Sequence, residues 1–92
     1  MGIDLKKDSE ALKALGHPIR LKIVIGLLEG DGCNVNKIVE KLKIPQSTVS
    51  QHLAKLRHAH ILEPSKEGVS IRYCIKDKRI AGLIAALKGQ GK

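Results

Sequence analysis

Aromatic residues are almost missing from this 92-residue chain: Tyr73 is the one example, with no Trp and no Phe. A surface that stacks successive unpaired bases on aromatic rings is therefore excluded. Acidic residues are scarce, since 17 Lys and Arg stand against 9 Asp and Glu, for a formal charge of +8. That imbalance favours an anionic partner, nucleic acid first, over the plainer alternative of a merely solvated basic surface. Two cysteines are too few for a disulfide framework. The longest apolar run, Ile23 to Leu28, is far too short to span a bilayer, so no membrane partner is expected. The opening "MGIDLKKDSE" is charged and does not read as a secretory signal. A cytoplasmic protein is the expectation. Missing as well are a nucleophile–base constellation, a phosphate-cradling glycine loop and a metal-ligand set. An enzyme has little support, and neither a cofactor nor a small-molecule substrate is expected.

What remains is an aliphatic chain, 42% apolar, with the composition of a globular protein. Its length fits one domain, residues 1–92. So small a domain buries a modest share of its surface, and a partner subunit is a common remedy. Residues 4–15 read as a helix with Leu5, Ala11, Leu12 and Leu15 near one face. Gly16 and His17 break it, and Pro18 suits the first turn of a second helix. The second helix runs to about Glu29, with Leu21, Val24, Ile25 and Leu28 as its inward stripe. Residues 33–35 form a short extended piece, and Asn34 is a good N-cap for a third helix carrying Ile38, Val39 and Leu42 inward. A tight turn follows at residues 43–46, because Ile44 precedes a proline.

The fourth helix, about Gln46 to His58, buries Val49, Leu53 and Leu56. His60 stands where a left-handed residue is needed, a conformation in which histidine is enriched. Ile61 and Leu62 open a hairpin that turns at Glu67-Gly68. Its second strand alternates Ile71, Tyr73 and Ile75 with Arg72 and Cys74. A last helix, Asp77 to about Lys88, carries Ile80, Leu83, Ile84 and Leu87 at helical spacing.

Two helices joined by a tight turn and followed by a two-stranded hairpin predict a winged helix-turn-helix, mainly α with a small sheet (α+β). In such a unit the second of the two helices enters the major groove. Its outer side chains must be short enough for close approach and polar enough to bond base edges. The stretch "QSTVSQHLAKLR", residues 46–57, meets both conditions. Gln46, Ser47, Thr48, Ser50, Gln51 and His52 are expected to face the groove. Gln51 is the first choice for reading a base, since an amide bonds adenine bidentately. Lys55 and Arg57 are expected to reach phosphate, as are Asn36 and Lys37 at the start of the third helix. Lys66, Ser70 and Arg72 belong to the wing, with Arg72 placed for the minor groove or for phosphate.

Three stretches taken in order, "LGHPIRLKIV" (15–24), "QSTVSQHLAKLR" (46–57) and "EGVSIRYCIKD" (67–77), resemble the ArsR family of bacterial repressors. The form of the recognition helix, "IPQSTVSQHL", resembles its metal-independent, PagR-like branch. The resemblance implies a homodimer joined through the first and last helices, residues 3–15 and 77–88. It further implies binding to a palindromic operator in double-stranded DNA, with transcription blocked. Leu5, Leu12, Ile80, Leu83, Ile84 and Leu87 are then the interface candidates. A last helix with a dense apolar stripe, which a small domain can hardly cover alone, points the same way. The other reading is that this stripe packs only on its own domain.

Where arsenic and lead sensors of the family place Cys-Val-Cys, this chain has Asn34-Val35-Asn36. Where zinc sensors take ligands from the last helix, only Asp77 matches; the second position is Arg79 and the third Gln90. No set of about four convergent ligands can be assembled, so no metal site is expected. Asp77 reads as a cap for its helix. His58 and His60 read as surface and capping residues, and His17 as structural. Some family members respond to oxidants through a cysteine pair. Cys33 and Cys74 are the candidates here, although the alternation of their strands aims them apart. A protein-interaction module with a basic face is a further alternative, against which stands the small polar recognition helix.

Overall fold

The computed structural model describes residues 2–30, 33–68 and 70–89. For Cys33, Asn34, Val35, Glu67 and Ser70 it describes the backbone alone. In chain order the elements are α1 (Leu5–Leu15), α2 (Pro18–Glu29), β1 (Cys33–Asn34), α3 (Val35–Leu42), α4 (Gln46–His58), β2 (Leu62–Glu67), β3 (Ser70–Ile75) and α5 (Arg79–Leu87). This is the expected winged helix-turn-helix order.

Local chemistry explains the boundaries. Asp4 caps α1 by accepting the Lys7 N–H at 3.0 Å, while Asp8 accepts the Asp4 N–H at 3.0 Å. His17 occupies the N-cap of α2, where its Nδ1 accepts the Ile19 N–H at 3.1 Å. Pro18 follows at the first helical position, where it forfeits no hydrogen bond. Between α3 and α4 the chain reverses through Lys43, at φ 56. The Thr48 and Val49 amides then bond to the Pro45 carbonyl, which starts α4. After α4, His60 takes the left-handed conformation at φ 63, as expected.

The sheet has the order β1-β3-β2, antiparallel throughout. Leu62 pairs with Ile75 and Glu67 with Ser70 in the hairpin. Gly68, at φ 61, lies in its turn. Pro64 sits on β2, an edge strand, where a missing N–H is tolerated.

One apolar core joins every helix to the sheet. Val24, Val49, Leu53, Leu56, Ile61, Leu62 and Ile80 are its most deeply buried large side chains. The core corrects the inward stripe expected on α2. On α2 the buried residues are Ile23, Val24 and Leu27, whereas Leu21, Ile25 and Leu28 are only half-buried. That helix is apolar around most of its circumference, so periodicity cannot select one face. On α1 the buried side chains are Ala11, Ala14 and Leu15, while Leu5 and Leu12 lie exposed at 79% and 58%.

The stripe on α5 divides. Ile80 and Ile84 are buried in this chain's own core, and Leu83 and Leu87 are exposed at 42% and 74%. Residues i and i+4 sit above one another, whereas i+3 and i+7 lie on a neighbouring track. Ile80 and Ile84 therefore leave the set of interface candidates. Helix α5 also starts at Arg79 rather than Asp77. Asp77 still serves the helix start, since its Oδ1 accepts the Arg79 N–H at 3.0 Å.

Candidate nucleic-acid interface

Helix α4 is polar outside and aliphatic inside. Val49, Leu53 and Leu56 are 0%, 2% and 0% exposed, so the helix is pinned by three residues at helical spacing. Gln46, Ser47, Ser50 and Gln51 are exposed on its outer side and Thr48 is half-buried. Ser47, Ser50 and Gln51 follow the i, i+3, i+4 spacing of one face. Lys55 and Arg57 are exposed in the last turn, where cations also complement the helix dipole. Asn36 and Lys37 are exposed at the start of α3. In the wing Lys66 is exposed and Arg72 half-buried. Arg72 faces Ser65 across the hairpin and Asn34 across β1. The side chain of Ser70 lies outside what the structure describes.

His52 departs from its expected position in the groove. It is half-buried and turned toward α2. Its Nδ1 accepts the Arg20 Nε–H at 3.2 Å, and its ring lies 4.6 Å from that of His17. Arg20 also donates from Nη1 to the Ala14 carbonyl at 3.1 Å, satisfying one of the orphan acceptors at the end of α1. Burial, then the nearby His17 and Arg20, hold the His52 pKa below its ordinary value of 6.5. Only the neutral imidazole offers the lone pair that accepts from arginine. Sequence reasoning missed Arg20. His17 and Arg20 stand three apart at the opening of α2, which marks a shared face, but nothing local points to His52.

A second cluster ties α1 to α5. Arg79 holds Asp8 with two bonds, at 2.8 and 3.1 Å, and Asp77 with two more, at 2.8 and 3.1 Å. The guanidinium lowers the pKa of both carboxyls by donating to them. Such a contribution is complete above the ordinary carboxylate value and is lost only as pH falls through the depressed one. Exposed pairs of this kind add little stability; this one marks position. Leu5 and Leu12 flank Asp8 on one face of α1, and Leu83 and Leu87 continue from Arg79 along α5. Two exposed aliphatic tracks thus run from a single ion pair.

The register does not set the two cysteines opposite each other. Cys33 lies opposite Tyr73, and Cys74, the next residue of β3, lies on the other face from Tyr73. Cys74 is a free, exposed thiol. Among the described residues no group of three or more His, Cys, Asp or Glu is placed to hold a metal ion. Gln90 lies outside them. Among the described residues no helix is long and apolar enough to cross a membrane.

Residues 17–63, spanning α2 through the start of the wing, match the arsR family of bacterial regulatory proteins. The chain belongs to the ArsR family. Members are transcriptional regulators and not enzymes, in keeping with a fold that presents one polar helix on an aliphatic support. The transcriptional repressor PagR of Bacillus anthracis is 44% identical over 92% of this ArsR-family chain and 85% of its own length. The crystal structure of PagR superposes with a TM-score of 0.84, covering 90% of this chain and 94% of PagR. HlyU from Vibrio cholerae superposes at 0.85 with 29% identity, over 97% of this chain and 96% of HlyU. A homodimeric winged helix-turn-helix DNA-binding domain from Mycobacterium bovis superposes at 0.84 with 27% identity, over 92% and 78%.

Proposed function

We propose that this ArsR-family protein is a homodimeric repressor that reads a palindromic operator through α4 and the wing and senses no metal. One observation carries the reading: a helix whose outer face is short and polar, at Ser47, Ser50 and Gln51, on a fully buried aliphatic back. Protein interfaces favour large aromatic or arginine anchors at their centre, and this face has none. The basic surface, at +8 overall, supplies the sequence-independent attraction to phosphate. Gln51 reads the base, and Ser47, Thr48, Ser50 and Gln46 complete the groove contacts. Lys55, Arg57, Asn36, Lys37, Lys66, Ser70 and Arg72 hold backbone.

The two-fold partner covers Leu5, Leu12, Leu83 and Leu87, whose exposure in the single chain supports an interface. The dimeric Mycobacterium bovis domain, alike in fold, supports it as well. Metal independence is supported by Asn34-Val35-Asn36, which offers no thiolate. The Arg79 guanidinium, set between Asp8 and Asp77, supports it too. A protein of this kind works in the cytoplasm, beside the DNA.

Selection of bound duplexes from random DNA tests the proposal. One sequence class with two inverted halves is expected. Gln51→Ala should cost about 1–3 kcal/mol on the selected duplex and relax the preference at one position in each half. Equal weakening on selected and scrambled duplexes would remove Gln51 from base reading.

A further inference from the structure

The aliphatic back of α4 fixes how deeply the helix sits, but apolar contact is non-directional. The buried stripe selects which face of α4 turns inward, and the fine roll about the helix axis decides which atoms of Gln51 and Ser50 reach a base. A directional bond on the flank of α4 runs from Arg20 to His52, 3.2 Å long. Arg20 is itself anchored, since its Nη1 bonds the Ala14 carbonyl at 3.1 Å in the last turn of α1. One guanidinium thereby ties the end of α1 and the first turn of α2 to the recognition helix. His52 lies one residue beyond Gln51, so any rotation at His52 moves Gln51 with it.

We propose that Arg20 and His52 form a latch that sets the roll of α4, closed while His52 is neutral and opened when it takes a proton. The inference rests on the DNA-reading role proposed for α4. Arginine has donors only, so the bond needs the lone pair on Nδ1 of His52. A proton from solvent occupies that lone pair and puts two cations in contact. The opened guanidinium has room: Arg20 lines a groove of about 480 Å³ between α1, α2 and α4, together with Glu10, Lys13, Lys55 and His58. His17, whose ring touches that of His52, adds a further titratable neighbour from α2. The groups around the latch are thus His17 at the N-cap of α2 and Arg20 on α2, with Glu10 and Lys13 on α1 and Lys55 and His58 on α4 lining the groove beside Arg20. Arg20, Lys13 and Lys55 are cations and Glu10 is the one acid among these groups, which favours release. The low affinity of His52 for protons agrees with this setting.

The sign of the effect separates the latch from plain electrostatics. A histidine that gains charge on a DNA-binding helix ordinarily tightens binding to any duplex through phosphate. The latch requires the reverse for the selected duplex: acid loosens specific binding while scrambled DNA is held as well or better. The experiment measures affinity for the selected duplex and for a scrambled one between pH 8 and pH 5.5, at fixed salt. For the unaltered protein the ratio of the two should fall on the order of tenfold toward pH 5.5, the size expected for losing one hydrogen bond to a charged group.

Four variants keep the test sharp. His52→Asn retains an acceptor near the Nδ1 position without titrating, so its ratio should not change with pH. Arg20→Gln cannot bridge Ala14 and His52, so its ratio should be low and flat, with Arg20→Lys intermediate. His17→Asn keeps a good N-cap and should retain the pH response. The latch is overturned if His52→Asn shows the same acid response as the unaltered protein, or if Arg20→Gln keeps the unaltered ratio at pH 8. A protein that prefers no duplex over scrambled DNA at pH 8 would overturn the DNA-reading role itself, and the latch with it.

Discussion

Leu56→Ala is expected to lower folding stability by about 2–5 kcal/mol, the range for truncating a buried leucine. Leu56 is 0% exposed and touches no solvent in the single chain. It lies in the last turn of α4, and its carbonyl accepts the Ile61 N–H at 3.0 Å where the chain turns into the wing. A void there loosens the recognition helix and the wing together. Domains have only about 5–15 kcal/mol in total, and a chain this short stands toward the low end. Each kcal/mol moves the melting midpoint by about 4–8 °C at this size. A fall of roughly 10 °C or more is therefore expected at fixed chain concentration. Ser50→Ala, on the exposed side of the same helix, should stay within about 0.5 kcal/mol of the parent. A Leu56→Ala protein that melts with the parent would mean that α4 is not held by this core.

The second large effect concerns assembly. Leu83→Glu should convert the dimer to monomer at micromolar concentration and weaken operator binding by about two orders of magnitude or more. Leu83 is 42% exposed in the single chain, one turn beyond the Arg79 that grips Asp8. A carboxylate buried there without a partner costs about 3–5 kcal/mol. Losing the second half of a two-fold reader forfeits an effective-concentration gain of about 10²–10⁴. Sedimentation gives the subunit count, and the melting midpoint shows whether the single chain still folds. Because Leu83 lies outside the core, folding should survive. A Leu83→Glu protein that remains dimeric and binds as before would move the interface elsewhere.

Much of the fold was legible because the elements differ in polarity. In α4, Val49, Leu53 and Leu56 stand out against serine, glutamine and lysine, so its buried face could be read directly. In α2 nearly every position is aliphatic, and only the rest of the molecule determines that Ile23 and Leu27 go inward while Leu21 and Ile25 stay half-covered. The α5 stripe was visible, but its division between core and surface was not. Which leucines remain uncovered depends on how α5 lies between α1, held by Arg79 on Asp8, and the end of α2, held by Lys88 on Glu29. The left-handed turn after α4 was readable from His60. The one before α4 falls on Lys43, at φ 56, a residue type that carries no such mark.

The site divides along the same line. Its outward residues are polar and lie within one short stretch, residues 46–51, interrupted by the buried Val49, so their location followed from the helix alone. Its supports are distant in sequence: His52 meets Arg20, and Arg79 meets Asp8. Such pairs leave no local trace. The cysteines illustrate a related point, because two strands can be neighbours without their cysteines sharing a register position. Cys33 is opposite Tyr73.

The most direct measurement of the central claim is a dimethyl sulfate footprint on the selected duplex, read at guanine N7 in the major groove and adenine N3 in the minor groove, with protein stoichiometry determined in the same solution. Two chains per duplex and two protected major-groove patches, centred about one helical turn or a whole multiple apart, are the expected result. Both patches should weaken together in Gln51→Ala, in step with its loss of affinity for the selected duplex. A single patch, protection confined to the minor groove, or one chain saturating the duplex would contradict the account.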